Sequence, residues 1–266
     1  MVACADSTSP PATRPPTTVP EATRPSVGTV AVVPDTTDAL PAFVAFAVRD
    51  ADSARVLYRV DATGAATPIF AARDHFTVAD RVLPPDGIGD FDHPNSLDVD
   101  RDGGLIVSWR NVGEVSKIDP RTGQFVWHLG GPHNEFTFVN DPLNGFSGQH
   151  FVRVLPDGDI LPYDNGWTHA PYETRVAEYR LDPVARTATL VWQFRHQPAM
   201  FTPLLGSVQR LASGDTFIGY GWSGLATEVD PTGAVVWEGT LTTDGTASAQ
   251  PYRLLKISTL SHYARP

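Results

Sequence analysis

Three short runs decide the fold: Gly104-Leu105-Ile106-Val107-Ser108-Trp109, then Val115-Ser116-Lys117-Ile118-Asp119-Pro120-Arg121-Thr122-Gly123, then Phe125-Val126-Trp127. Each run alternates so that large apolar side chains fall on one face of a strand. The Asp-Pro-x-x-Gly between the last two is a tight turn, in which proline presets φ and glycine takes the positive φ that side chains resist. Working outward, the same grammar recurs. It appears earlier as Val56-Leu57-Tyr58-Arg59-Val60-Asp61-Ala62-Thr63-Gly64 with Ile69-Phe70, and later as Leu155-Pro156-Asp157-Gly158-Asp159-Ile160-Leu161 with Arg180-Leu181-Asp182-Pro183 and Leu190-Val191-Trp192. A fourth copy holds Leu211 to Ile218, Val229-Asp230-Pro231-Thr232-Gly233 and Val235-Val236-Trp237. A repeat of roughly 40 to 55 residues suits a four-stranded sheet unit.

The expected fold class is therefore all-β, a β-propeller of four-stranded antiparallel blades. Radial stacking buries the apolar face of each sheet against its neighbour and protects its edges. A two-layer β-sandwich is the competing architecture. Three complete units and a partial first one are few for a closed ring, so about four blades are expected. The terminal Tyr252-Arg253-Leu254-Leu255-Lys256-Ile257 is expected to complete the first unit.

Composition narrows the partners. The 266 residues carry 20 Lys and Arg against 30 Asp and Glu, a net charge of −10. No basic cluster is visible, which disfavours nucleic acid, because phosphate contacts need cationic side chains. A small anion would need a local cationic pocket. The single cysteine, Cys4, stands after Met1-Val2-Ala3 in a pattern like the end of a lipoprotein signal, so a lipid anchor at Cys4 and an extracytoplasmic location, secreted or lipid-anchored, are expected. Residues 1–40, with Pro10, Pro11, Pro15, Pro16, Pro20 and Pro25 among Thr, Ala and Arg, read as an extended tether. Residues 41–262 form the expected β domain.

Candidate chemistry falls on loops between strands. His93 in Asp92-His93-Pro94-Asn95-Ser96 and His150 in Phe146-Ser147-Gly148-Gln149-His150 precede consecutive units at matching places, so both imidazoles are expected at one axial site. Asp164-Asn165-Gly166 reads as a turn that brings an amide near His150. Arg175, Arg195 and His196 are candidates for anion binding. His128, His133, His169 and His262 carry no positional argument and are expected at the surface. Asp98-Val99-Asp100-Arg101-Asp102-Gly103 resembles the start of a calcium loop, but Trp109 stands where the twelfth-position acid belongs, so a plain turn is expected. No zinc-hydrolase, P-loop, dinucleotide or Gly-x-Ser-x-Gly motif is present.

Taken in order, Asp92 to Ser96, Ile118 to Gly131, Phe136-Thr137-Phe138, Phe146 to His150, Leu155 to Ile160 and Asp164-Asn165-Gly166 resemble the arylsulfotransferase family over residues 56 to 257. The resemblance implies a six-bladed propeller that moves a sulfuryl group from a phenolic sulfate ester to another phenol, with no nucleotide donor and no cofactor. It implies that His93 and His150 hold sulfuryl oxygens and exchange protons with the phenols, a task suited to imidazole. Asn95, Gln149, Asn165 and Trp167 are then the expected substrate contacts, and Arg175 and His196 join the two histidines as catalytic candidates. Two departures stand out. Where the family has an arginine after Asp-Asn-Gly this chain has Trp167-Thr168-His169, and the position of the family's nucleophilic histidine falls on Gly221-Trp222-Ser223-Gly224. The alternative is a propeller that binds an aromatic or anionic ligand without turning it over, since neither glycine nor a lone serine replaces an imidazole nucleophile.

Overall fold

The computed structural model describes residues 43–49, 54–61, 63–84, 91–243, 245 and 247–257. Cys4, the 1–40 segment and His262 lie outside them. The described chain is all-β, with two one-turn 3-10 segments, Ala72–Asp74 and Val78–Asp80, as its helical content.

Strands β1 (Phe43–Arg49), β2 (Ala54–Val60) and β3 (Ala66–Ala71) form a first antiparallel sheet. The second holds β4 (Pro94–Val99), β5 (Leu105–Trp109), β6 (Glu114–Asp119) and β7 (Gln124–Gly130) in sequential order. The third gains an unforeseen strand: β8 (Thr137–Val139) pairs parallel to β12 (Thr187–Arg195), outside β9 (His150–Val154), β10 (Ile160–Asp164) and β11 (Arg175–Asp182). The fourth is β13 (Ser207–Arg210), β14 (Thr216–Tyr220), β15 (Leu225–Val229) and β16 (Val235–Thr240), followed by a two-stranded ribbon of β17 (Thr242–Thr243) and β18 (Ala247–Ser248).

The turns behave as their residues dictate. In the second sheet the Gly123 N–H donates to Asp119 O at 2.8 Å, and its φ of 68° keeps the chain against β3. A Cβ there would stand 2.0 Å from the Ile69 carbonyl oxygen, so only glycine fits. The third unit lacks this glycine, and Arg186 takes the left-handed conformation instead, at φ 53°.

Three apolar clusters lie between successive sheets. Leu57, Phe70 and Trp109 belong to the first, Ile106, Trp127 and Tyr179 to the second, and Leu161, Tyr163 and Tyr220 to the third. Apolar sheet faces thus bury each other pairwise, the propeller-like arrangement expected of stacked sheets. On the fourth sheet Val235, Val236 and Trp237 are half exposed, because no further sheet covers them among the described residues.

Two seams share one pattern. Ser96 Oγ accepts from Val152 N and Asp98 Oδ2 from Val154 N, joining β4 to β9 at 3.0 and 2.9 Å. Ser207 Oγ accepts from Leu254 N and Gln209 Oε1 from Lys256 N, both at 3.0 Å. Residues 251–257 therefore lie against β13 as β9 lies against β4. The expectation that they complete the first unit is corrected: among the described residues the first sheet holds β1, β2 and β3, and residues 251–257 bond β13 instead.

Candidate functional site

Register defines which positions correspond between sheets. The turn-proximal pairs are Val99↔Leu105, Val154↔Ile160 and Arg210↔Thr216. Four residues back on the first strand stand Asn95, His150 and Gly206, and five residues on from the second-strand partner stand Arg110, Asn165 and Gly221. His93 lies two residues before Asn95, so the two histidines do not occupy matching positions as expected. They still meet: their ring centroids are 6.4 Å apart at an interplanar angle of 69°. A positive φ of 48° at His93 and bulges in both first strands bring this about.

His150 is held in one tautomer. It is buried, and its Nδ1 lies 2.7 Å from Asn165 Oδ1 and 3.1 Å from Gly148 O. The Asn165 amide nitrogen donates to Thr202 O and Leu205 O, which fixes its oxygen toward the ring. Facing two acceptors, Nδ1 carries the proton, and Nε2 keeps its lone pair. Burial pushes the imidazole down to about 3, with Arg110 and His93 adding to the fall and the Asn165 bond opposing it. His150 is thus neutral at any ordinary pH.

Around this pair stand residues from five parts of the chain. Arg110 donates its backbone N–H to His93 O at 3.0 Å, and its guanidinium carbon lies 5.8 Å from the Trp167 ring centroid. Trp167 packs on the Cα of Gly148, where a Cβ would come within 2.3 Å of its ring, and makes edge contacts with Phe201 and Tyr172. Asn95 donates to Gln149 O at 2.7 Å, and its own backbone oxygen accepts from Arg253 Nη2 at 2.7 Å. Arg253 also lies over the Phe151 ring, so a cation from the last described segment spans the same end of the domain. Gln149 is fully buried and donates to Ser108 Oγ, Trp109 O and Glu114 O, bracing the site from below.

Two expected members lie elsewhere. The Arg175 guanidinium is enclosed, donating to Asp141, Asp164, Gln193 and Gly145 O, with Tyr179 Oη 2.9 Å away. Against the upward push of burial, Arg175 and Tyr179 hold the Asp141 carboxyl at about 2. Arg175 is a core ion pair that positions the turn before Asn165 and faces no open space, which corrects its place as an anion clamp. His196 bonds Glu238 Oε2 through Nε2 and Pro198 O through Nδ1, both at 2.9 Å, and bridges the third and fourth sheets. Arg195 pairs with Glu173 at 2.9 Å.

The surface expectation fails for His169, which is buried with Nε2 3.4 Å from Asp164; His128 and His133 are partly exposed and both face the buried Glu114. The calcium-like loop is the expected turn: Asp100 and Asp102 pair with Lys117 Nζ at 2.6 and 2.7 Å. Arg110 was legible only after register was known, because nothing in its sequence neighbourhood marks it.

At the fourth sheet the glycine positions are filled by neighbouring chain. A Cβ on Gly221 would meet Pro251 O at 2.6 Å, and one on Gly206 would meet the Tyr163 ring at 2.2 Å.

Residues 43–242 match the family model described as arylsulfotransferase (ASST). No curated protein matches the chain. Among solved structures, virginiamycin B lyase from Staphylococcus aureus is similar at 10% identity and TM-score 0.43, over 80% of this chain and 60% of that one. A functionally unknown protein from Desulfotomaculum acetoxidans is similar at 14% identity and TM-score 0.43, over 74% and 55%. A protein of unknown function from Bacteroides caccae is similar at 13% and 0.41, over 71% and 54%. The chain thus spans under two thirds of the length of these structures.

Proposed function

The chain belongs to the arylsulfotransferase family, and from that premise we propose that it transfers a sulfuryl group between phenols with no nucleotide donor, His150 Nε2 being the group that takes the sulfur. The observation that carries this reading is the fixed Nδ1–H of His150 between Asn165 Oδ1 and Gly148 O. Nε2 attacks sulfur with its lone pair, the sulfur–oxygen ester bond breaks, and the phenolate departs with the electron pair. The ring becomes an N-sulfonyl imidazolium, whose positive charge the two acceptors on Nδ1–H stabilise. An acceptor phenol then attacks sulfur, gives up its proton to the medium, and returns Nε2 to its resting state. His93 and Arg110 suit the sulfuryl oxygens and the departing phenolate, and Trp167 offers an aromatic face to an aryl ring. We also propose a propeller whose ring extends beyond the four larger described sheets, on the strength of residues 251–257.

Quenching the protein with nitrophenyl sulfate alone should add one sulfuryl mass to the peptide holding His150, and a phenol acceptor should remove it. His150→Ala should lose this mass and lower turnover at least 100-fold, on the order of what removing a nucleophile costs. Wild-type protein that binds the ester but never carries the mass would sink the proposal. The filling of Gly221 by residue 251 favours a second reading, a binding module without turnover, and that same result would support it.

A further inference from the structure

Glu114, His128 and His133 are not explained by sulfuryl transfer. Glu114 opens β6 with its side chain fully buried. Among the described residues its ion-pair partners are two imidazoles: His128 Nδ1 lies 2.7 Å from Oε1, and His133 Nδ1 lies 3.1 Å from Oε2. A buried carboxylate needs a cation or a full set of donors.

The surroundings orient each group. Trp109 Nε1 donates to Ser116 Oγ at 3.2 Å, so the Ser116 hydroxyl turns its own proton to Glu114 Oε1. His133 Nε2 lies 3.2 Å from Asp80 Oδ1 in the second 3-10 segment. A proton donated there leaves His133 Nδ1 as a bare acceptor facing Glu114, the carboxylate–histidine arrangement that supports metal ligands. His128 and His133 meet because Gly130 and Gly131, at φ 77° and 62°, fold the chain back over Glu114. A Cβ on Gly131 would stand 2.7 Å from Val112 O. The three ligand atoms lie within 4.8 Å of one another; tetrahedral ligands about 2.1 Å from one ion stand about 3.4 Å apart, so the 2.7 and 3.1 Å gaps need open by well under about 1 Å to admit it. Phe125 and Phe76 pack on the two imidazoles and shield the cluster.

We propose that Glu114, His128 and His133 bind one divalent transition-metal ion, zinc by preference, as a structural clip. Two imidazoles and a carboxylate suit zinc and exclude the all-oxygen cations. The ion ties β6 and β7 to the segment that carries Asp80. Through the Glu114 carbonyl, which accepts from Gln149 Nε2 at 2.9 Å, it also steadies the residue before His150.

The test uses the full chain, stripped with a chelator and titrated with zinc chloride by calorimetry. One zinc per chain is expected, with a Tm that keeps rising with each tenfold of free zinc. The double variant His128→Gln, His133→Gln should bind none, and His196→Gln should bind one. No zinc bound to the wild type, or one bound equally well to the double variant, would overturn the assignment. Should the double variant fail to fold, diethyl pyrocarbonate modification of the wild type makes the same distinction. Zinc should protect His128 and His133 while leaving the exposed His75 as reactive as before, and equal modification of His128 and His133 with and without zinc would reject the site.

Discussion

The third and fourth sheets carry opposite chemistry at the same two register positions. The third presents His150 and Asn165, an imidazole and the amide that fixes it at 2.7 Å. The fourth presents Gly206 and Gly221, whose missing side chains admit the Tyr163 ring and the Pro251 carbonyl. Glycine at the second pair is thus occupied space. No side chain can be added at Gly221 without moving residue 251, whose carbonyl oxygen would stand 2.6 Å from the new Cβ.

The comparison breaks most visibly if the support under the third sheet is dispensable. Arg175→Met leaves Asp141 and Asp164 as uncompensated buried carboxylates and should cost about 3–5 kcal/mol in urea unfolding. A loss under about 1 kcal/mol, with donor affinity weakened instead, would return Arg175 to the role of anion clamp. Next in size, Gly206→Ala should cost about 3 kcal/mol, because it combines crowding against Tyr163 with a φ of +116°. A neutral effect would mean that the fourth sheet has room for a side chain after all.

A pH scan sharpens the contrast further. Folded His150 stays neutral down to about 3, whereas the unfolded imidazole takes its proton near 6.5. Between those values the unfolded state holds more protons, so the stabilisation is complete above 6.5 and falls as pH drops. Going from pH 7 to pH 5 should remove about 2 kcal/mol, and His150→Asn should flatten that part of the curve. A wild-type curve already flat over this range would place the imidazole in contact with water.

Much of the architecture was legible because it is written locally. Alternation in Leu105 to Trp109 and the glycine at 123 each specify a strand or a turn without help from distant residues. The meeting of His93 and His150 was legible too, though for a partly mistaken reason: their positions differ by two residues, and backbone bulges close the gap. What stayed hidden depends on pairing between distant segments. Arg175 and Arg110 look alike as isolated cations, and both are buried; only their partners separate a core ion pair with Asp141 and Asp164 from a residue bonded to His93. The place of residues 251–257 depends on Ser207 and Gln209, 47 residues upstream of their partners, which no periodicity reveals. His128 and His133 looked like surface residues because Glu114 reaches them only through the turn at Gly130 and Gly131.

Ser96 with Asp98, and Ser207 with Gln209, have a consequence for how such a molecule changes over time. Because each junction is made by two acceptors spaced two residues apart, it works as a standard coupling that any extended segment with exposed alternate N–H groups can fill. A sheet could be gained or lost at such a coupling while every ladder inside the remaining sheets keeps its own alignment.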